Sequence, residues 1–235
     1  MSNGLEIAGD YRTMQQIVTE KLRQAILDGT FKPNQRLHQA DLAEILNVSR
    51  IPTREALRTL EGEGLVTFYP HRGAVVATMS PEEIEEVYEI RILLETSAAQ
   101  RALKRVTDEQ VGRIREIQIS MTKTDALDVW ARLNDDFHHS MYAPSGWTRL
   151  LSVIDMMRNL TTPYVRMFVS DQFDRNTADN EHAEMVTAIE ARDGVALKAT
   201  LRRHLANVCQ GILGYLKRVQ EESNTSEVKE AFGSR

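Results

Sequence analysis

Three histidines carry the first chemical signal. His138, His182 and His204 fall in three different segments of helical periodicity, and Asn134 stands four residues before His138, on the same helix face. An Asn-x3-His pair with two further helix-borne histidines suits one divalent metal inside a bundle, because neutral imidazole and an amide oxygen both ligate such ions. Spacing alone leaves a second reading open. Histidines 44 and 22 residues apart need not meet, and a lone helical histidine commonly sits at the surface or completes a hydrogen bond. An enzyme using the same cluster would need a general base, and only Asp135, Asp136 or Glu181 stands near enough in sequence. No HExxH, paired Glu-x-x-His, Gly-x-Ser-x-Gly or glycine-rich phosphate loop accompanies them.

A second set is cationic. Arg50, Arg54 and Arg58 recur at i, i+4 and i+8, opposite the apolar stripe of Ala56, Leu57 and Leu60. In front of them Leu42, Ile45 and Leu46 mark a shorter helix, Asn47 its stop, and Ser49 the N-cap of the next helix. A short helix bracing an arginine-striped one across a tight turn suits the DNA major groove. With Glu55 and Glu61 nearby, the same stripe also fits a solvated, salt-bridged helix.

The surrounding elements favour DNA. Upstream, Met14, Ile17, Val18, Leu22, Ala25 and Ile26 predict a helix ended by Gly29, and Phe31 to Arg36 reads as a loop. Downstream the period changes from 3.6 to 2: Leu65–Tyr69 and Ala74–Ala77 read as strands joined by Pro70, His71, Arg72 and Gly73. Helix, helix-turn-helix and basic-tipped hairpin, in that order, make a winged helix. Its tip offers His71, Arg72 and Gly73 to a minor groove.

Beyond the joint at Thr78–Pro81 every pattern is helical. Helices are expected over 81–104, 108–122, 125–142, 147–160, 176–192 and 194–220, with a broken piece around 163–171. The expected domains are a mobile lead-in over 1–10, a winged helix-turn-helix over 11–78, an all-helical bundle over 79–220 and a flexible tail over 221–235. The fold class is therefore mainly α, with a small β-hairpin wing.

Charge assigns partners. Residues 1–80 hold nine basic and nine acidic side chains, leaving 20 and 25 for the rest, so the whole net charge of −5 lies in the helical part. A neutral reading head binds DNA through local arginines and through two copies acting together. No apolar run approaches the ~20 residues of a membrane span, and no signal peptide is evident, so a cytoplasmic protein without membrane contact is expected. The single Cys209 lies in a stripe with Leu205, Val208 and Ile212 and reads as a buried thiol.

These residues also carry a family resemblance. Leu42-Ala43, Val48-Ser49-Arg50-x-Pro52-x-Arg54-Glu55-Ala56-Leu57-Arg58-x-Leu60-Glu61-x-x-Gly64-Leu65 and Arg72-Gly73-Ala74-x-Val76 resemble the winged helix of GntR-family bacterial transcription regulators. The resemblance implies base and phosphate contacts by Arg50 and Arg54, with Ser49 and Thr53 beside them, Arg58 on phosphate, and the wing tip in the minor groove. Ala40 departs from the family, which commonly has a basic residue there. Ile90-Arg91-x-x-Leu94-Glu95, Asn134-x-x-Phe137-His138, Ser145-Gly146, Glu181-His182 and His204-Leu205 resemble the FCD ligand-binding domain of the FadR-type branch.

That second resemblance implies a divalent metal held by Asn134, His138, His182 and His204, with Zn²⁺ ahead of Ni²⁺ or Mn²⁺. Its open positions would take the carboxylate of a small effector. Asn in place of a carboxylate leaves the ion its full charge and a weaker hold. Asp135-x3-His139 is the alternative pair, on a neighbouring face. Arg91 suits the effector's far end as a guanidinium fork, or else forms a surface pair with Glu95. Tyr164 and Arg166 are further pocket candidates. The expected function is a homodimeric, metabolite-responsive repressor on an inverted-repeat operator of double-stranded DNA. The rivals are a metal-free sensor of an acyl-thioester or sugar acid in the same fold, and a helical metalloenzyme.

Overall fold

The structure, a computed structural model, describes residues 12–172 and 175–232. The lead-in expected over 1–10 lies outside the described residues. The chain divides into two compact units between Thr78 and Met79. The first opens with α1 (Met14–Leu27), started by a capping box: Thr13 Oγ1 accepts from the Gln16 amide at 3.2 Å and Gln16 Oε1 from the Thr13 amide at 2.7 Å. Val18, Leu22 and Ile26 are buried, whereas Met14 and Ile17, of the same periodic set, stay exposed.

A two-residue strand, β1 (Arg36–Leu37), follows in the segment expected as a loop. Two residues are too few to display an alternating pattern. The helix-turn-helix is α2 (Gln39–Ile45) and α3 (Arg50–Gly62). Asn47 stops α2 with φ +53, the left-handed conformation that an asparagine tolerates. The wing is β2 (Val66–Tyr69) and β3 (Gly73–Val76), antiparallel, with Val66 opposite Val76 and Tyr69 opposite Gly73. β1 joins the other edge of β3, giving the order β1-β3-β2. Ala56, Leu57 and Leu60 of α3 close the core with Leu22, Ile26, Leu42, Val66 and Val75. Arg23 forks onto Glu63 at 2.7 and 2.8 Å and ties α1 to the segment just after α3.

The second unit is all helix: α4 (Pro81–Leu103), α5 (Asp108–Lys123), α6 (Leu127–Tyr142), a 3₁₀ turn (Ala143–Ser145), α7 (Thr148–Gln172), α8 (Arg175–Glu190) and α9 (Gly194–Phe232). Ser80 and Glu83 form a capping box, with Pro81 in the first turn. Helix α4 lies against α9 and α7, α5 against α6 and α8, and α8 against α9. Tyr88, Phe137, Tyr142, Met185, Leu201 and Ile212 fill the middle. Gly211 admits the ring of Phe168: a Cβ on Gly211 would overlap it. Cys209 is buried, and desolvation raises its thiol to a pKa of about 11.

Two expectations are corrected. Pro163 does not break the chain into pieces, because α7 runs through it. The hydroxyls of Thr161 and Thr162 donate to the Arg158 carbonyl at 3.1 and 2.9 Å, and burial of Ile154, Thr161 and Tyr164 holds both halves in register. Likewise α9 runs through the segment expected as a tail from Glu221, as far as Phe232. Among the described residues no helix is long and apolar enough to cross a membrane.

Candidate functional site

His138 of α6, His182 of α8 and His204 of α9 meet inside the second unit. Their ring centroids lie 5.3 Å (138–182), 5.3 Å (138–204) and 4.7 Å (182–204) apart. One nitrogen from each lies within 4.8 Å of the others, and all three side chains are buried. Zinc–nitrogen bonds of about 2.0 Å in a tetrahedral site imply nitrogens roughly 3.3 Å apart.

Outer groups orient two of the rings. Tyr142, four residues after His138, donates its hydroxyl proton to Glu95 Oε2 at 2.6 Å. Having given its one proton away, the phenol oxygen accepts from His138 Nδ1 at 3.2 Å, which leaves the Nε2 lone pair free. His204 Nδ1 lies 2.8 Å from Glu181 Oε2, and Asn207 holds Oε1 of the same carboxylate at 2.7 Å. Burial works to raise the pKa of Glu181, but the hydrogen bonds from His204 and Asn207 prevail and hold it low. His182 has neither ring nitrogen satisfied, in a wall that includes Phe137. Two orphaned buried nitrogens call for a further partner. Desolvation first, then the Arg158 guanidinium and the neighbouring histidines, push His138 well below the ordinary histidine pKa; burial, His204 and Arg158 do the same to His182. Both are therefore neutral imidazoles near pH 7, the form that binds a metal. The three histidines fit a divalent ion.

Asn134 is half-buried one turn ahead of His138. The alternative pair, Asp135 and His139, is excluded from the cluster: both are exposed, and Asp135 accepts from Arg158 at 2.7 Å. No exposed pair joins Arg91 and Glu95. Both are buried, with Arg91 Nε 2.7 Å from Glu95 Oε1 and a guanidinium nitrogen 3.0 Å from Thr161 Oγ1. Arg158 stands 3.7 Å from Glu95 Oε2, so two guanidiniums face one interior carboxylate. Burial opposes the Glu95 charge, yet Arg91 and Arg158 hold its pKa low. Tyr164 is buried, and its hydroxyl accepts from the Met79 amide at 2.6 Å. Arg166 is half-buried with Nε unpaired. Sequence reasoning missed Arg158 and Tyr142. The i+4 step from His138 to Tyr142 was the one available signal.

In the first unit Arg50, Arg54 and Arg58 are exposed along one face of α3. Arg54 pairs with Glu55 at 3.1 Å. Arg58 pairs with Glu61 at 2.8 Å and stacks 4.0 Å over the Phe68 ring of the wing. Thr53 is corrected. It is fully buried, and its hydroxyl donates to the Ser49 carbonyl at 3.1 Å, so it anchors the helix start and does not reach DNA. Ser49 is exposed at the N-cap position without a side-chain cap bond. Gln39, which sequence reasoning missed, donates from Nε2 to the Arg50 carbonyl at 2.6 Å and braces the first turn of α3. At the wing tip His71 and Arg72 are exposed, Arg72 reaching Asn34 at 3.3 Å. Gly73 has φ +77 with open space around it, so its requirement is conformational.

A winged helix with an exposed arginine face, on the same chain as an all-helical unit enclosing three histidines, defines a two-domain DNA-binding transcription regulator. Residues 14–76 match bacterial regulatory proteins of the gntR family, and residues 86–207 match the FCD domain. The chain belongs to the gntR family and carries an FCD domain. It is similar to the HTH-type transcriptional regulator YdhC of Bacillus subtilis (strain 168), with 27% identity over 86% of this chain and 90% of that protein. It is also similar to the HTH-type transcriptional repressor GlaR of Escherichia coli (strain K12), with 27% identity over 78% of this chain and 89% of that one. Among solved structures, E. coli McbR/YncC shares the fold with a TM-score of 0.75 at 21% identity, covering 89% of this chain and 100% of that chain. YdhC and GlaR are named as transcriptional regulators, and the chain is a regulator of the same family, not an enzyme.

Proposed function

We propose that the protein is a cytoplasmic, homodimeric repressor that releases an inverted-repeat operator when its helical domain binds a small organic acid at a divalent metal. The observation that carries the sensing half is the buried cluster of His138, His182 and His204 with both His182 nitrogens unpartnered. Asn134 is the fourth ligand. Zn²⁺ leads for tetrahedral nitrogen-rich coordination, ahead of Ni²⁺ or Mn²⁺. The bound ion supplies a Lewis-acidic position for a carboxylate. Around it this chain's own residues set the ligand's character: the guanidiniums of Arg91 and Arg158 are donors suited to a carboxylate, their charges met by Glu95 and Asp135. Arg91 and Arg166 face the effector's far end.

Dimerisation is supported by exposed apolar residues on two packed helices. Ile90 and Leu93 of α4 are 36% and 70% exposed, and Val153 and Met156 of α7 are 40% and 36% exposed. Two neutral reading heads, each presenting Arg50, Arg54, Arg58, Ser49, His71, Arg72 and Gly73, then bind half-sites about one helical turn apart. The name of GlaR supports the repressor sign.

The test combines metal analysis with operator binding. Purified protein holds about one metal per chain, and a His138→Ala/His182→Ala variant holds none. Small organic acids weaken operator binding only in the metal-loaded wild type. Equal metal content in both proteins sinks the ligand set, and weakening that survives a strong chelator favours metal-free sensing.

A further inference from the structure

One side chain on the arginine face of α3 does not belong to a solvated helix. Ile51 is 66% exposed, and among the described residues it is the large apolar side chain that α3 leaves in solvent. It follows Arg50 and stands three residues before Arg54, so it lies between the two arginines that lead the groove-facing stripe.

Its placement is rigid. Pro52 follows it and fixes the backbone of the first turn. Gln39 clamps the Arg50 carbonyl at 2.6 Å and Thr53 the Ser49 carbonyl at 3.1 Å. Isoleucine itself has one strongly preferred χ1 rotamer in a helix. A stiff apolar branch is thus held at a set height at the end of α3 that enters the groove. The major groove displays one apolar feature, the C5-methyl of thymine, while arginines on either side suit phosphates and guanine edges.

We infer that Ile51 is a specificity-determining residue of operator readout, packing on the C5-methyl of a thymine in each half-site. The inference rests on the winged-helix unit reading a specific operator. Arg50 and Arg54 supply attraction and guanine preference, and Ile51 adds a demand for thymine at the adjoining step. Burying one methyl against another apolar group is worth about fourfold in affinity.

The experiment removes that methyl and nothing else. The full-length protein selects its operator from random duplexes, and each thymine of the selected site is then replaced singly by deoxyuridine. Affinities are read by fluorescence anisotropy at one salt concentration. Wild type is expected to lose about fourfold at one position per half-site. Ile51→Ser is expected to bind thymine and deoxyuridine equally there, with an unchanged salt slope. The inference is overturned if no deoxyuridine weakens wild type beyond twofold, or if Ile51→Ser keeps the same sensitivity. In the first case Ile51 and the exposed Ile45 serve a protein contact instead. A selection that enriches no sequence overturns specific operator reading, and this inference with it.

Discussion

Tyr142 gives its only hydroxyl proton to Glu95 across 2.6 Å, and this single donation decides which nitrogen of His138 is free. The phenol oxygen then accepts from Nδ1, so Nε2 carries the lone pair. Glu95 is held in turn by Arg91 at 2.7 Å. The candidate metal ligand and the candidate effector clamp thus share one buried carboxylate.

Replacing Tyr142 by Phe removes the acceptor that orients His138. Outer-group losses of this kind weaken metal binding by about 10- to 100-fold. Chelator competition with Zn²⁺ measures it, and an affinity within twofold of wild type would show that Tyr142 does not set the tautomer.

Stability of the metal-stripped protein should depend on pH through His138 and His182. Both have folded pKa values well below the ordinary ~6.5 of the unfolded chain, so below that pH the unfolded state binds more protons. Their contribution is complete above ~6.5 and declines as the pH falls beneath it. The carboxylates Glu95 and Glu181, lowered instead, act only under their own ordinary value near 4.3. Thermal midpoints taken in chelator between these two limits should fall with acid, and fall less in His182→Gln.

Glu95→Ala leaves Arg91 in the interior without its carboxylate, while Arg158 keeps Asp135. Breaking such a buried pair costs about 3–5 kcal/mol. Urea unfolding of the metal-free protein should show this. A loss below about 1 kcal/mol would place Arg91 in contact with water, as for an exposed pair.

The reading helix separates affinity from anchoring. Arg54→Ala should cost about 1–3 kcal/mol of operator binding if the guanidinium is bidentate to guanine. Arg58 is stacked on Phe68, and Arg58→Ala should lower the salt slope by about one and alter sequence preference little if the guanidinium meets a phosphate. Thr53→Val keeps the buried shape and loses one hydrogen bond, so it should reduce stability by about 1 kcal/mol and leave base preference intact. A changed preference in Thr53→Val would return Thr53 to the DNA surface.

What the sequence by itself determined is what helix and strand geometry make local. The 3.6 period placed Arg50, Arg54 and Arg58 on one exposed face, the change to period 2 marked the wing, and Asn47 and Ser49 marked a turn and a helix start. All depend on neighbours within a few residues, whose relation is set once the element forms. Tertiary packing decided the rest. His138, His182 and His204 come from three helices, and only the packing of α6, α8 and α9 brings their rings within 5.3 Å. Arg91 and Glu95 keep the same i, i+4 spacing on a surface or in a core, and the cover supplied by α7 turns an ordinary pair into a buried network with Arg158. Thr53 lies next to exposed Arg54 yet points inward, because a helix turns 100° per residue and the α3 core sits on that side. Pro163, a breaker by local rules, stays helical because its flanks are buried together.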